Sequence, residues 1–240
     1  MNGIQHEGGF DPGKMIDSFV NFLGNGSLLI PGFVNTIKNH SKVDMRTLKP
    51  ETGGLSKESF RRFKNKSCLR TNDPFHSFFV FGKKAQSIVE QTSEITNTFG
   101  QNSAFGYLHK QGGCMILADL DLYYGFTFAH YVEQQTQVGY RTQVEYDFDF
   151  TDVFGKESKR SFKIFSKKKG YLPVLNGLEK PLVDAGAMKI YRVNGVKFFK
   201  IDLQKAFKVV ETDILENKAR NLIEFNLPLY LKQYIKQITS

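Results

Sequence analysis

The sequence predicts an α/β protein, a three-layer α/β/α domain with a central mixed sheet and antiparallel hairpins in its C-terminal half. Three observations carry that expectation. Short apolar runs alternate with amphipathic helical segments through the first half of the chain. The second half holds period-two segments and an Asn194-Gly195 dipeptide between two strand-like runs, a strong hairpin signal. Phe is abundant at 23 and Tyr follows at 10 without any Trp, which suits a packed interior containing β-structure. At 240 residues, with no internal repeat or linker composition, the chain reads as one domain over residues 1–240 that can bury a substantial core.

Asp11-Pro12 opens the first helix, since an N-cap acid is followed by Pro at the first helical position. Met15, Ile16, Phe19, Val20 and Leu23 form its apolar stripe and Gly24 closes it. Ser27 to Phe33 is a short buried strand whose Pro31 and Gly32 are expected to end the pairing. Residues 35–54 are rich in turn formers and read as an ordered loop, and Leu55 to Phe63 as a basic helix. Ser77 to Gly82 is strand-like, Lys84 to Gln91 helical, and Ser103 to Gln111 a helix stopped by Gly112-Gly113. Cys114 to Leu120 is the clearest buried strand, followed by a loop from Asp121 to Phe126 and a helix from about Thr127 to Gln137.

In Gln143 to Phe150, Val144, Tyr146, Phe148 and Phe150 alternate with Glu145, Asp147 and Asp149, the mark of a half-exposed strand. Ser161 to Phe165 answers it across a turn at Gly155, and Leu178 to Ala185 is a helix stopped by Gly186. The hairpin strands are Lys189 to Val193 and Val196 to Ile201. Leu203 to about Leu215 is a further helix, and Leu227 to Ile238 an amphipathic one.

Composition bounds the function. Hydrophobic residues are 40% and charged ones 24%, which excludes a disordered or coiled-coil chain. No run approaches the ~20 apolar residues needed to span a bilayer, and the N-terminus lacks a secretory leader's basic and apolar segments. Cys68 and Cys114 stand far apart without metal-ligand spacing, so a cytoplasmic protein without structural disulfides is expected. The formal net charge of +9 favours anionic partners. The dense run from Lys156 to Lys169 follows the acidic Glu145, Asp147, Asp149 and Asp152, a pattern more often seen on a solvated sheet face than in a nucleic-acid groove.

Two stretches carry candidate chemistry. Thr127, His130 and Glu133, spaced by three, fall within an arc of about 120° on one helix face. A carboxylate one turn from an imidazole can orient it and raise its basicity, as a general base near neutral pH requires. The same spacing equally fits a solvated surface pair. A metal site is disfavoured, because no other His or Cys spacing completes one. In the loop from Ser67 to Ser77, Arg70 can meet a phosphate or carboxylate, and the hydroxyls of Thr71 and Ser77 can bond a ligand's amides. Its Asn, Asp and Pro are turn formers first. Cys114, inside an apolar strand, is expected to be inert packing. No nucleophile elbow or phosphate-binding loop is present.

These stretches, in this order, resemble the aminoglycoside 3-N-acetyltransferase family, acetyl-CoA-dependent enzymes unrelated to the common GNAT fold. Glu7-Gly8-Gly9 looks like the family's glycine pair, and Gly26 to Pro31 like its Gly-Thr-Leu-hydrophobic-Pro strand. Gly54-Leu55 through Phe60-Arg61 is similar to its Gly-Leu…Phe-Arg segment, and Arg70 to Ser77 to its Arg-Ser-x-x-Pro-x-x-Ser loop, with Thr71 replacing Ser. Phe99-Gly100 with Ser103 resembles its Phe-Gly…Ser-Pro turn, and Thr127 to Glu133 its Thr-x-x-His-x-x-Glu signature.

The resemblance implies that His130 is the general base for an acceptor amine and that Glu133 orients it, with Thr127 beside them. It further implies that Arg70, Thr71, His76, Ser77, Gly8 and Gly9 line the coenzyme side, and that no metal takes part. The aromatic segment around Tyr123 and Tyr124 departs from the family's usual loop and is expected to shape the acceptor pocket. The family pattern normally begins with a further helix and strand before the point where this chain starts. The chain as written is therefore expected to be poorly soluble or inactive, through exposed sheet edges. Implied partners are coenzyme A and a small-molecule amine, with no nucleic acid, no membrane span and a possible homodimer. The charge ranks a nucleotide-activated amino sugar for surface polysaccharide ahead of a polycationic aminoglycoside of the resistance type. A non-catalytic basic nucleic-acid module is a third reading, on charge and aromatic content alone.

Overall fold

Asp11 caps the first helix as its position before Pro12 requires. Its Oδ1 accepts from the backbone N–H groups of Gly13 (2.8 Å) and Lys14 (3.1 Å). The computed structural model describes residues 11–238. Along the chain the elements are α1 (Pro12–Leu23), β1 (Ser27–Phe33), β2 (Lys42–Asp44), α2 (Gly54–Lys64), β3 (Leu69–Arg70), β4 (His76–Gly82), α3 (Ala85–Gln91) and α4 (Ala104–Lys110). There follow β5 (Cys114–Ala118), α5 (Leu122–Gly125), α6 (Phe128–Gln135), β6 (Arg141–Thr151), β7 (Glu157–Lys167) and β8 (Tyr171–Pro173). A 3₁₀ turn (Leu175–Leu178) leads into α7 (Glu179–Asp184), β9 (Met188–Val193), β10 (Val196–Asp202), α8 (Leu203–Glu216), β11 (Ile223–Phe225) and α9 (Leu227–Ile238).

The α/β class expected from sequence stands. The described residues fall into two compact units, one of residues 11–107 with 144–164 and one of 108–143 with 165–238. In the first unit β4 lies between β1 and β3, both antiparallel to it, and β2 pairs parallel with β6, which β7 flanks on its other side. Ile16 of α1 packs with Ile30, Cys68, Phe79 and Phe81 in one core cluster. Val43, Met45, Phe75, Phe148, Phe150 and Phe162 make another. The alternating charged residues of β6 and β7 lie on a solvated face, as expected: Asp147, Asp149, Lys159 and Lys163 are exposed while Phe148, Phe150 and Phe162 face inward.

Pro31 and Gly32 do not end the first strand. Pro31 pairs with Phe78, Gly32 with Ser77 and Phe33 with His76. Because β1 is an edge strand, the N–H that proline lacks is not needed by a second neighbour. Gly32 is required for another reason, since a Cβ there would sit 2.7 Å from the Phe79 ring. The expected loop at residues 35–54 contains β2, a three-residue strand too short to show a period.

Helices α1 and α2 of this unit are joined by an ion-pair network. Arg62 reaches Asp17 through Nη1, Gly13's carbonyl through Nη2 (3.0 Å) and Glu58 through Nε (2.9 Å), and Arg61 Nη2 donates to Glu58 (2.7 Å). The Arg61 bond, reinforced by Arg62 against the opposing effect of burial, holds the Glu58 carboxyl down to about 2. A depressed carboxylate stabilises the fold above its unfolded pKa and ceases to do so as pH falls through its folded one. Wild-type stability is therefore expected to decline between about pH 4.5 and 2 through this group. The Glu58→Gln protein should have a lower urea midpoint at pH 7 and a flatter dependence across that window. Parallel curves for the two proteins would show that Glu58 contributes nothing.

In the second unit β10 lies between β5 and β9, and β8 pairs with β11, all antiparallel. The β9–β10 hairpin turns where expected, with Asn194 at φ 49° and Gly195 at φ 80°, the left-handed pair that a two-residue turn demands. Strand β5 corrects one expectation. Among the described residues it pairs only with β10; Leu117, opposite buried Phe199, is buried, while Cys114 and Ile116, on the face shared with exposed Lys200, are exposed. Cys114 is thus no core thiol, while Cys68 is buried, and burial pushes its thiol up to about 12. Helices α6 and α8 pack together, with His109 stacked on Phe207 at 4.3 Å and its Nδ1 3.4 Å from the Tyr131 hydroxyl.

Candidate active site

Helix α6 (Phe-Ala-His-Tyr-Val-Glu-Gln-Gln) buries Phe128, Ala129, Tyr131, Val132, Glu133 and Gln134. A helix so apolar in its surroundings cannot carry Glu133 as a solvated surface residue, and the surface-pair alternative is removed: the Glu133 side chain is 1% exposed and that of His130 24%. The i, i+3 spacing brings His130 Nδ1 to 2.7 Å from Glu133 Oε2. Thr127 stands at the N-cap in helical conformation with its hydroxyl making no cap bond, and its carbonyl accepts the His130 N–H at 3.0 Å.

Two residues complete the cluster that sequence reasoning did not single out. Gln137, at φ 52°, belongs to the turn after α6, and the chain returns so that the Tyr140 hydroxyl donates to Glu133 Oε1 at 2.9 Å. Arg141, first residue of β6, places Nε 2.6 Å from Glu133 Oε2 and Nη2 2.8 Å from His130 Nδ1, and anchors Nη1 on the Phe165 carbonyl at 3.0 Å. The Nε contact lacks the alignment of a hydrogen bond, so its effect on Glu133 is Coulombic. No local pattern signals either residue, since their place depends on the turn between α6 and β6.

Burial is the largest single influence on Glu133 and works to raise its pKa. The charge and hydrogen bond of His130, with the Arg141 guanidinium and the Tyr140 hydroxyl, outweigh it, and the carboxyl is held below its ordinary value. Burial first, and the Glu133 charge second, push the Tyr140 phenol well up, so it remains a donor. Nδ1 faces an acceptor and a donor together: a proton on Nδ1 makes a charge-assisted bond to Glu133 Oε2, whereas a bare Nδ1 accepts from Arg141 Nη2. In the neutral tautomer that carries its proton on Nδ1, Nε2 is the basic nitrogen.

The Arg70 loop departs from expectation. Arg70, Thr71 and Ser77 are all buried, Arg70 at 0% exposure. Arg70 Nε donates to Ser77 Oγ (3.0 Å), Nη1 to the carbonyls of Met45 (3.0 Å) and Leu48 (2.6 Å), and Nη2 to that of Gly32 (3.3 Å), with the guanidinium 5.0 Å over the Phe79 ring. Thr71 Oγ1 accepts from the Phe78 N–H at 2.9 Å, and Ser77 Oγ donates to Gly32 at 2.9 Å. These groups bind the unit's own backbone. His76 is half-buried among Phe33 and Phe99, with ring centroids at 4.7 and 5.0 Å. Gly8 and Gly9 lie outside the described residues. Tyr123 and Tyr124 are exposed on α5, in edge contact at 4.8 Å, with the Tyr123 N–H donating to Asn176 Oδ1 at 2.9 Å. The expected loop from Asp121 to Phe126 instead holds the short helix Leu122–Gly125, with Asp121 and Phe126 as its caps.

Residues 3–214 match the family model described as aminoglycoside 3-N-acetyltransferase. The chain belongs to this family. The enzyme class, an N-acetyltransferase using acetyl-CoA, follows from that membership. Aminoglycoside acetyltransferase AAC(3)-Xa superposes with a TM-score of 0.72 at 20% identity, over 87% of this chain and 81% of that one. AAC-IIIb, solved as a binary complex with CoASH, gives 0.67 at 17% identity over 90% and 85%. The YokD protein from Bacillus subtilis gives 0.60 at 17% over 88% and 82%. At these identities the likeness is one of fold. No curated protein matches the chain. Among the described residues no group of three or more His, Cys, Asp or Glu is arranged to hold a metal, and no helix of this acetyltransferase is long and apolar enough to cross a membrane.

Proposed function

We propose that the chain transfers an acetyl group from acetyl-CoA to the amine of a sugar, with His130 as general base and Glu133 as its orienting partner. The observation that carries this reading is the 2.7 Å bond from His130 Nδ1 to a buried carboxylate. Acetyl-CoA supplies a thioester carbonyl open to attack. His130 Nε2 takes the proton as the amine nitrogen forms its bond to that carbonyl carbon. The C–S bond breaks, and the imidazolium returns the proton to the departing sulfur. Glu133 holds the ring and stabilises its charge without being protonated.

The net charge of +9 favours an acceptor that carries phosphate, so we place a nucleotide-activated amino sugar for a surface polysaccharide first. The family description favours the second reading, an aminoglycoside acceptor whose acetylation confers resistance. Acetyl-CoA as donor puts the reaction in the cytoplasm, and exposed Tyr123 and Tyr124 are available to a sugar face. Thiol release from acetyl-CoA against both acceptor classes, at two salt concentrations, tests the ranking. Turnover of the nucleotide sugar with a KM that rises with salt is expected. Turnover of gentamicin-like acceptors alone would reverse it.

A further inference from the structure

Glu133 is held from three sides. Its Oε1 accepts from Tyr140, and its Oε2 faces both His130 Nδ1 and Arg141 Nε. The guanidinium is itself fixed: the Arg141 side chain is 7% exposed and Nη1 is tied to the Phe165 carbonyl. The cation is therefore a permanent partner of the carboxylate oxygen that would otherwise face His130 alone.

On the reading that His130 is the base, we propose that Arg141 is a positioning residue of the reaction, which holds Glu133 fixed and ionised and keeps His130 from retaining the proton it takes. Two physical effects act together. A positive charge 2.8 Å from Nδ1 opposes a second positive charge on the imidazole ring. Sharing Glu133 with a guanidinium also removes part of the attraction that would trap the imidazolium as a stable buried ion pair. A base that held its proton too firmly could not return it to the leaving sulfur, and it would be protonated before substrate arrived. Of the other ionisable groups around the cluster, Tyr140 stays a neutral donor, Asp213 acts on Tyr140 and not directly on the ring, and Lys167, an exposed cation, lies within the field of Arg141. None of them can replace the guanidinium at Oε2.

The test follows the His130 ring nitrogens by ¹⁵N NMR against pH in wild type, Arg141→Gln, Arg141→Met and Arg141→Lys, with the signal assigned by its loss in His130→Gln. The midpoint is expected to rise by about one pH unit in the Gln and Met variants and to stay close to wild type in Lys. The acid limb of kcat/KM for thiol release should move by the same amount and in the same order. A merely structural role would lower activity uniformly and leave the limb in place. An unmoved midpoint in Arg141→Gln with an unchanged far-UV spectrum overturns the proposal, as does an equal shift in the Lys variant. The Gln variant keeps a donor for the Phe165 carbonyl and guards against misfolding of the Met variant. The titration needs no turnover. A raised midpoint without transfer to any amine would sink the proposed function and leave standing only the hold of Arg141 on the His130 proton, while transfer with an unmoved midpoint would sink this inference alone.

Discussion

Replacing His130 by Gln is expected to lower kcat for acetyl transfer by about 10²- to 10⁴-fold, the range removed with a positioned general base. Gln can still donate toward Glu133 Oε2 but offers no nitrogen able to take a proton at neutral pH. The loss should therefore fall on kcat, with acetyl-CoA affinity held within about threefold by calorimetry, since binding does not pass through this proton. Folding should survive, because the His130 side chain is partly exposed and its neighbours Phe128, Ala129 and Tyr131 provide the packing of α6. Thiol release at wild-type rate from a folded His130→Gln protein would defeat the assignment of the base, and with it the mechanism.

Arg70→Met is expected to cost about 3–5 kcal/mol of stability, because several buried acceptors lose their donor at about 1–3 kcal/mol each. The reason lies in what the guanidinium satisfies. The carbonyls of Gly32, Met45 and Leu48 and the Ser77 hydroxyl accept from it. Ser77 still serves Gly32 after the change, but Met45 and Leu48 each lose this charged donor in the interior, at about 1–3 kcal/mol per unsatisfied group. Burial is what draws the pKa of Arg70 down to about 10, with Asp73 opposing it, so the residue remains charged at neutral pH. For a chain of this size the Tm should fall by roughly 10 °C. Arg70→Lys should not restore it, because a single ammonium cannot reach acceptors held by a planar fork. Unchanged Tm with weakened acetyl-CoA binding would return Arg70 to the coenzyme and contradict its structural role.

The same residue shows where a sequence misleads. An Arg beside Thr, Asn and Asp reads as a ligand loop, and the motif match reinforces that reading. The chain instead uses this side chain to close the carbonyls between β1 and the loop around Met45, a partnership across 22 to 38 residues that no local pattern contains. Strand β5 misleads in the opposite way. Its apolar run reads as core, yet the sheet face it shares with Lys200 is exposed and leaves Cys114 and Ile116 outside. The very short strands β2, β3, β8 and β11 carry no periodic signal at all, because two or three residues cannot display a repeat. Where the deciding chemistry is local, the reading is sound. Asp11-Pro12 with Gly24 bounds α1, and Asn194-Gly195 turns the β9–β10 hairpin, since capping and left-handed backbone are properties of the residues themselves.

The pairing of His130 with Glu133 belongs to this local class. Residues three apart on a helix must be neighbours, so the sequence by itself determined that an imidazole and a carboxylate meet. Only the tertiary structure decided what that meeting is worth. It buried Glu133, brought Tyr140 and Arg141 around the turn to its two oxygens, and withdrew Arg70 into the interior. Helical geometry is set within one turn of chain, whereas charge balance in a low-dielectric interior depends on every group that packing carries there.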